Sequence, residues 1–206
     1  MLYIFDLDGT IRVTRSGRPC PNCMSDQVLL PGVKKKLIEL EEAGHKLVIA
    51  TNQGGVSHGY MTVLEVWQNI LQVNVLCDYV FSDCRVSYYS PSVPRSINFV
   101  DDAKPKPDML LSIMNCQRPE MGAVYVGNAK IDKQAAKAAD ISFCWAHEFF
   151  GTRDKFAWEV VENEHGYHPK DWFALNQEFM LDIDKGVNPH SPGYYCNGFY
   201  DPSGME

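Results

Sequence analysis

Five short apolar runs, each but the last followed by a stretch with helical or loop character, constrain this chain more than any other feature. The first, residues 2–6 (LYIFD), ends in acids and then Gly9. Residues 46–51 (KLVIAT) form the second and are cut off by Asn52-Gln53-Gly54-Gly55. Residues 79–81, 123–127 and 141–145 complete the set. Between them, Pro31-Gly32 opens a helix with Val33, Leu37 and Leu40 on one face and Gly44 as its stop. Thr62 caps a second helix through about residue 73, Pro107 starts a third through 116, and 132–139 is an Ala-rich fourth. Apolar runs alternating with helices imply parallel βαβ units, hence an α/β, Rossmann-like three-layer sandwich around a central parallel sheet. Ligands of such sheets sit beyond the carboxyl ends of the strands. The polar residues there are Asp6 and Asp8, Thr51 and Asn52, and Gly127-Asn128.

The alternation stops near residue 150. Residues 1–150 read as one catalytic-sized domain, and 151–206 as an extension packed on it and partly irregular. The extension holds 10 of the 24 aromatics and carries a charge of −6, leaving −1 on the body. Helical spacing is expected at 154–162 and 170–183, and residues 11–30, which contain Gly17, Pro19, Pro21 and Asn22, are expected to be a loop or flap. With 45% hydrophobic residues the chain can bury a real core, and no apolar run approaches a membrane span. A strand beginning almost at Met1 leaves no room for a secretory signal, so a cytoplasmic protein is expected. A near-neutral body offers no general basic footprint for nucleic acid, although a local basic site stays compatible with it. The seven cysteines are then expected as reduced thiols, with Cys20-Pro-Asn-Cys23 the one pair at metal-ligand or redox spacing.

Asp6-Leu7-Asp8-Gly9-Thr10 carries the chemistry. In an extended segment, residues i and i+2 face the same way, so two carboxylates meet just past a buried strand. Partly desolvated, they repel unless a cation lies between them, and an all-oxygen site suits Mg²⁺. The competing reading is a solvated turn, since Asp and Gly both favour turns.

FDLDGT, IATNQGG, AKPKPDMLL and VGNAKID stand in the order and at the spacing of the four motifs of haloacid dehalogenase superfamily phosphatases, which residues 1–150 resemble. The TNQGGVSHG and KPKPDMLL stretches are similar to the nearly capless branch of histidinol-phosphate, heptose bisphosphate and polynucleotide 3′-phosphatases. The resemblance implies Asp6 as nucleophile and Asp8 as the acid that protonates the leaving oxygen and then activates water. It implies Thr51 and the Asn52 amide as phosphoryl-oxygen ligands, and Lys104 as the neutralising cation, with Lys106 its rival. It implies Mg²⁺ held by Asp6, the Asp8 carbonyl and Asn128, supported by Asp132. In that pattern an acid usually stands where this chain has Asn128, a neutral ligand that weakens metal affinity. The zinc loop of the heptose bisphosphate enzymes precedes the Lys-Pro element; residues 84–103 hold one cysteine and no histidine, so no zinc is expected there.

The intervals from Thr10 to Thr51 and from Asn52 to Lys104 are too short for a full cap, so an open site is expected. It would admit a phosphorylated metabolite or a nucleic-acid end. Arg12, Arg15 and Arg18 either clamp a second phosphate or a polynucleotide backbone, or form a solvated loop; His58 is a further candidate for the site wall. Three activities follow: a Mg²⁺-dependent phosphomonoesterase first, a catalytically weak phosphatase-like binding protein suggested by Asn128, and a metal-independent hydrolase, against which Asp8 argues.

Overall fold

The computed structural model describes residues 1–14, 21, 23–93, 98–151, 160–163 and 166–169. Its centre is a parallel sheet of β1 (Leu2–Phe5), β4 (Lys46–Asn52), β5 (Phe81–Ser87), β6 (Ala123–Gly127) and β7 (Ser142–Trp145), ordered β5-β4-β1-β6-β7. β1 lies in the middle, with Phe5 opposite Ile49 of β4 on one side and Val126 of β6 on the other. The chain therefore builds outward through β4 and β5, then returns past β1 to add β6 and β7. The loops leaving β1, β4 and β6 open at one end of the sheet, where the strand order reverses.

Alternate side chains of the inner strands feed two separate cores, because successive residues point to opposite faces. Phe5, Leu47, Ile49 and Val126 pack with Val33, Leu37 and Leu40 of α1 (Val33–Glu42) and Val66, Ile70 and Val73 of α3 (Val63–Leu76). Leu2, Ile4, Val48, Ala50 and Tyr125 pack with Leu110 and Ile113 of α4 (Asp108–Gln117) and Ala135 and Ala136 of α5 (Lys130–Ala138). Covering on both faces explains why these strands read as near-continuous apolar runs.

Several elements differ from the expectation. The 11–30 flap contains an antiparallel pair, β2 (Arg12–Thr14) with β3 (Gln27–Leu29). All three β2 residues are buried, so the segment shows no alternation to betray it. The third sheet strand begins at Phe81 instead of residue 79, because Asp78 and Tyr79 both take positive φ (58° and 63°) and turn the chain into it. Two four-residue helices, α2 (Gly55–His58) and α6 (Ala146–Phe149), are too short to leave a periodic signal. Where 154–162 reads as helical, Val160–Asn163 is instead a strand (β8) paired with Gly166–Pro169 (β9). The expected helix at 170–183 and the remainder of the extension lie outside the described residues. Among the described residues, the two intervals after the first and second motifs hold the β2–β3 pair with α1, and α2, α3 and β5, and no cap domain.

The start of α3 is fixed locally. The Thr62 hydroxyl accepts from the Glu65 amide at 3.2 Å, and the Glu65 carboxylate accepts from the Thr62 amide at 2.6 Å. Replacing Thr62 by Ala removes one half of this reciprocal cap and is expected to cost about 1 kcal/mol. A urea unfolding midpoint lowered without a change in slope is the confirming result.

Candidate active site

Asp6 follows β1 directly and its N–H donates to the Val126 carbonyl, which carries the strand geometry one residue further (2.9 Å). From across the sheet end, the Lys104 ammonium donates to Asp6 Oδ1 at 2.5 Å and to Asp132 Oδ1 at 2.7 Å. It also reaches the Tyr125 hydroxyl at 2.9 Å and the Ala50 carbonyl at 3.3 Å. Only 5% of Lys104 is exposed. Burial alone pushes its pKa down, but Asp132 and Asp6 more than offset that and raise it, so the ammonium stays charged. Tyr125, likewise raised far above its ordinary value by burial and then by Asp132, stays a neutral phenol.

Asn52 sets where Lys104 stands. Its side-chain oxygen accepts from the Lys104 amide at 3.0 Å and its Nδ2 donates to the Lys104 carbonyl at 3.1 Å. Lys106, two residues on, is exposed and paired instead with Asp101 at 2.6 Å. The structure thus brings Lys104, not Lys106, against Asp6, and Lys106 stands apart from this cluster.

Asp132 comes from the first turn of α5. Its Oδ2 accepts from the Ala129 amide at 2.9 Å while Oδ1 faces Lys104 and Tyr125. Both oxygens are engaged by the protein, so the residue anchors the lysine and the start of α5, a place compatible with the indirect support of a metal expected of it. A Cβ on Gly127 would lie 2.5 Å from the Asp132 Cβ, and one on Gly9 2.4 Å from Asn128 Nδ2. Glycine at 9 lets the loops after β1 and β6 close on each other, and glycine at 127 lets the first turn of α5 fold back against the end of β6.

Three oxygens, from Asp6, Asp8 and Thr10, converge on the Asn128 side chain. The terminal amide position of Asn128 is 3.2 Å from the Asp8 carbonyl oxygen and 3.3 Å from both Asp6 Oδ2 and Thr10 Oγ1. Occupied by the amide nitrogen, it donates to these acceptors. Occupied by the oxygen, it forms with Asp6 Oδ2 and the Asp8 carbonyl an oxygen cluster that a hard cation can share. The charge balance agrees: Asp6 and Asp132 bring two carboxylates to one ammonium, and Asp8 is matched by Arg12. Among the described residues no three His, Cys, Asp or Glu side chains gather as a metal site, so any cation here relies on one carboxylate, a carbonyl and an amide.

Asp8 lies at the mouth, partly exposed. Arg12 Nε donates to its Oδ1 at 2.9 Å, and Gln53 Nε2 donates to its Oδ2 at 2.7 Å and to Thr51 Oγ1 at 3.0 Å. Arg12 is 1% exposed and paired with Asp8 and Gln27, so of the two alternatives the solvated loop is the one its burial speaks against. Arg15 and Arg18, the other two members of that clamp, lie outside the described residues. His58 is held by Ser90 Oγ at 3.1 Å on the surface of α2. Cys20 too is outside the described residues, whereas Cys23 is disulfide-bonded, against the expectation of thiols throughout. Cys77 and Cys84 are free, and burial pushes both thiols up to about 12. Thr10, Gln53, Tyr125 and the Asn52 side chain are members of the site that the sequence reading did not assign. Most of their partners lie far off in the chain, up to 118 residues for Thr10 and Asn128, so spacing alone carried no signal.

The profile of the polynucleotide kinase 3 phosphatase family matches residues 1–150. The chain belongs to that family. The D-glycero-beta-D-manno-heptose-1,7-bisphosphate 7-phosphatase of Escherichia coli strain K12 is 31% identical over 151 residues, covering 66% of this chain and 73% of its own. The same enzyme of Yersinia pestis is 32% identical over 146 residues, with 66% and 74% covered. The structure of the D,D-heptose 1,7-bisphosphate phosphatase from B. bronchiseptica, complexed with magnesium and phosphate, superposes with a TM-score of 0.59 at 18% identity. That match covers 88% of this chain and 99% of the other, and it speaks for the fold. The protein is a phosphatase of the haloacid dehalogenase superfamily. No helix among the described residues is long and apolar enough to cross a membrane.

Burial, opposed by Lys104 and aided by Asp132, raises the Asp6 carboxyl from 3.8 to about 7. Between those values the folded protein binds a proton that the unfolded chain releases, so the contribution to stability is full below about pH 4 and is lost as pH rises through 7. In EDTA, the unfolding midpoint is therefore expected to fall between pH 5 and pH 8 (on the order of the range set by the linkage relation), and Asp6→Asn to flatten that slope. Thermal melts of both proteins across this range check it.

Proposed function

We propose that this chain is a Mg²⁺-dependent phosphomonoesterase working through a phosphoaspartyl intermediate on Asp6. The observation that carries the reading is the convergence of Asp6, the Lys104 ammonium at 2.5 Å, the Asp8 carbonyl and the Asn128 side-chain amide at the carboxyl end of the sheet. Phosphoryl transfer asks a protein mainly for positioning and charge neutralisation, and this arrangement supplies both.

In the first half-reaction an Asp6 carboxylate oxygen bonds to phosphorus as the ester P–O bond breaks, and the departing oxygen takes its proton from Asp8. In the second, water bonds to phosphorus and loses a proton to the Asp8 carboxylate. The Asp6–phosphorus bond breaks, giving inorganic phosphate and the starting carboxylate. Lys104 balances charge on the nucleophile and the phosphoryl group, while Thr51 Oγ1 and the Asn52 amide donate to phosphoryl oxygens. Magnesium held by Asp6, the Asp8 carbonyl and Asn128 would supply further neutralisation of phosphoryl charge.

Two substrate classes fit a site that carries no cap domain among the described residues: a 3′-phosphorylated nucleic-acid end, which the family's description supports, and a sugar phosphate, which the names of the curated relatives support. A panel of 3′-phosphorylated oligonucleotides, nucleotides and sugar phosphates, each with Mg²⁺ and with EDTA, separates them. Turnover in Mg²⁺ is expected to stop in EDTA and to fall by a factor of about 10⁴ or more in Asp6→Asn, since the nucleophile is gone. Full activity of that variant, or of the enzyme in EDTA, would sink the reading.

Asn128 favours a second possibility, a phosphatase-like protein with weak metal binding and weak turnover. Asn128→Asp adds a charge to the cation site and is expected to lower the Mg²⁺ concentration giving half-maximal rate by about tenfold, consistent with how ligand charge tunes such sites. An unchanged magnesium dependence removes the support for that second possibility.

A further inference from the structure

We propose that Arg12 is a positioning residue for Asp8, and that Gln27 of the β2–β3 pair holds Arg12 in that role. The inference rests on the phosphomonoesterase reading, because it gives Arg12 its purpose through the proton that Asp8 moves.

The placement is unusual for an arginine. It lies between Ile11 and Val13, both buried, and is itself 1% exposed. A buried guanidinium is costly unless paired and hydrogen-bonded. Here one edge goes to Asp8 Oδ1 through Nε at 2.9 Å, and Nη1 donates to Gln27 Oε1. Gln27, 4% exposed, is fixed in turn: its Nε2 donates to the Met24 carbonyl at 3.3 Å and to Asn69 Oδ1 of α3 at 3.4 Å. Asn69 is 2% exposed. A line of buried polar groups thus runs from helix α3 through the flap strand to the carboxylate at the site mouth.

The backbone closes the same turn. The Gly9 amide donates to the Arg12 carbonyl at 2.8 Å, and the Arg12 amide donates to the Leu7 carbonyl at 3.1 Å. The guanidinium is therefore held relative to Asp8 by main chain on one side and by Gln27 on the other. From the opposite edge Gln53 takes Asp8 Oδ2 at 2.7 Å. A carboxylate gripped at both oxygens has a fixed plane, yet each oxygen keeps a lone pair for a proton. Proton transfer to a leaving oxygen is sensitive to such placement, and a misplacement of about 1 Å costs about a hundredfold in rate.

Arg12→Met and Arg12→Lys, with Gln27→Met as a variant outside the guanidinium itself, test the proposal. Each is measured with Mg²⁺ for kcat/KM on p-nitrophenyl phosphate, whose leaving group needs no proton, and on a simple alkyl phosphate, whose leaving group does. This ratio reports the step in which the ester bond breaks. Arg12→Met is expected to lose about tenfold or more on the alkyl ester, a fraction of the usual contribution of general acid catalysis, and less than about threefold on the aryl ester. Arg12→Lys should recover part of the alkyl activity, and Gln27→Met should shift the ratio in the same direction by less. Equal losses on both esters in the Arg12 variants would make the residue merely structural and overturn the proposal. Should Arg12→Met fail to fold, the ratio in Arg12→Lys and Gln27→Met decides. Asp8→Asn is run alongside. If it is selective for the alkyl ester and the Arg12 variants are not, the positioning role alone is lost; if it shows no selectivity, the acid role of Asp8 falls and the positioning role with it.

Discussion

One buried ammonium organises this molecule. Lys104 makes no sense without Asp6 and Asp132, because an unpaired lysine at that depth would lose its proton or unfold its surroundings. Those two acids would in turn repel each other without it. The three groups come from the ends of β1 and the first turn of α5, and from the loop before α4. Their mutual dependence fixes the distance between the two halves of the sheet at the end where the strand order reverses. One carboxylate beyond the ammonium is left over. Burial first, with Asp132 adding to it against Lys104, raises the Asp6 carboxyl, and the surplus negative charge makes the space beside it attractive to a cation.

Around this centre the protein spends its polar residues on placement. Tyr125 keeps its ring in the core under α4 and α5 and its hydroxyl on Lys104 and Asp132. Gln53 serves Thr51 and Asp8 at once, joining the hydroxyl and the carboxylate proposed for phosphoryl binding and proton transfer. Arg12 and Gln27 do the same from the flap. The chemistry expected of the site asks for few reacting groups, and most of the buried polar side chains here hold those few in place.

Much of this was legible in the residues. The parallel sandwich followed from apolar runs separated by helical spacing, since strands covered on both faces have to be apolar throughout. Asp6, Asp8, Thr51, Lys104 and Asn128 could be named because each directly follows or precedes such a run or stands in an ordered motif. What escaped was whatever depends on folding across the sheet. Arg12 reads as a surface cation among glycines and prolines, and nothing local says that a glutamine fifteen residues later will take its guanidinium. Phe81–Ser87 is an edge strand with polar side chains at Ser82, Asp83 and Arg85, so its true extent was hidden, and two residues in the left-handed region displaced its start. Motif order likewise says nothing of Tyr125 and Lys104 sharing an oxygen of Asp132.

The paired amide bonds between Asn52 and the main chain of Lys104 have a consequence for how this fold tolerates change. They staple together two points fifty-two residues apart in the chain. Everything between becomes a closed excursion whose ends are already fixed, and lengthening such a loop adds little closure entropy. New segments could therefore be grafted between α3 and the Lys-Pro turn, reshaping what reaches the entrance, while Lys104 keeps its address.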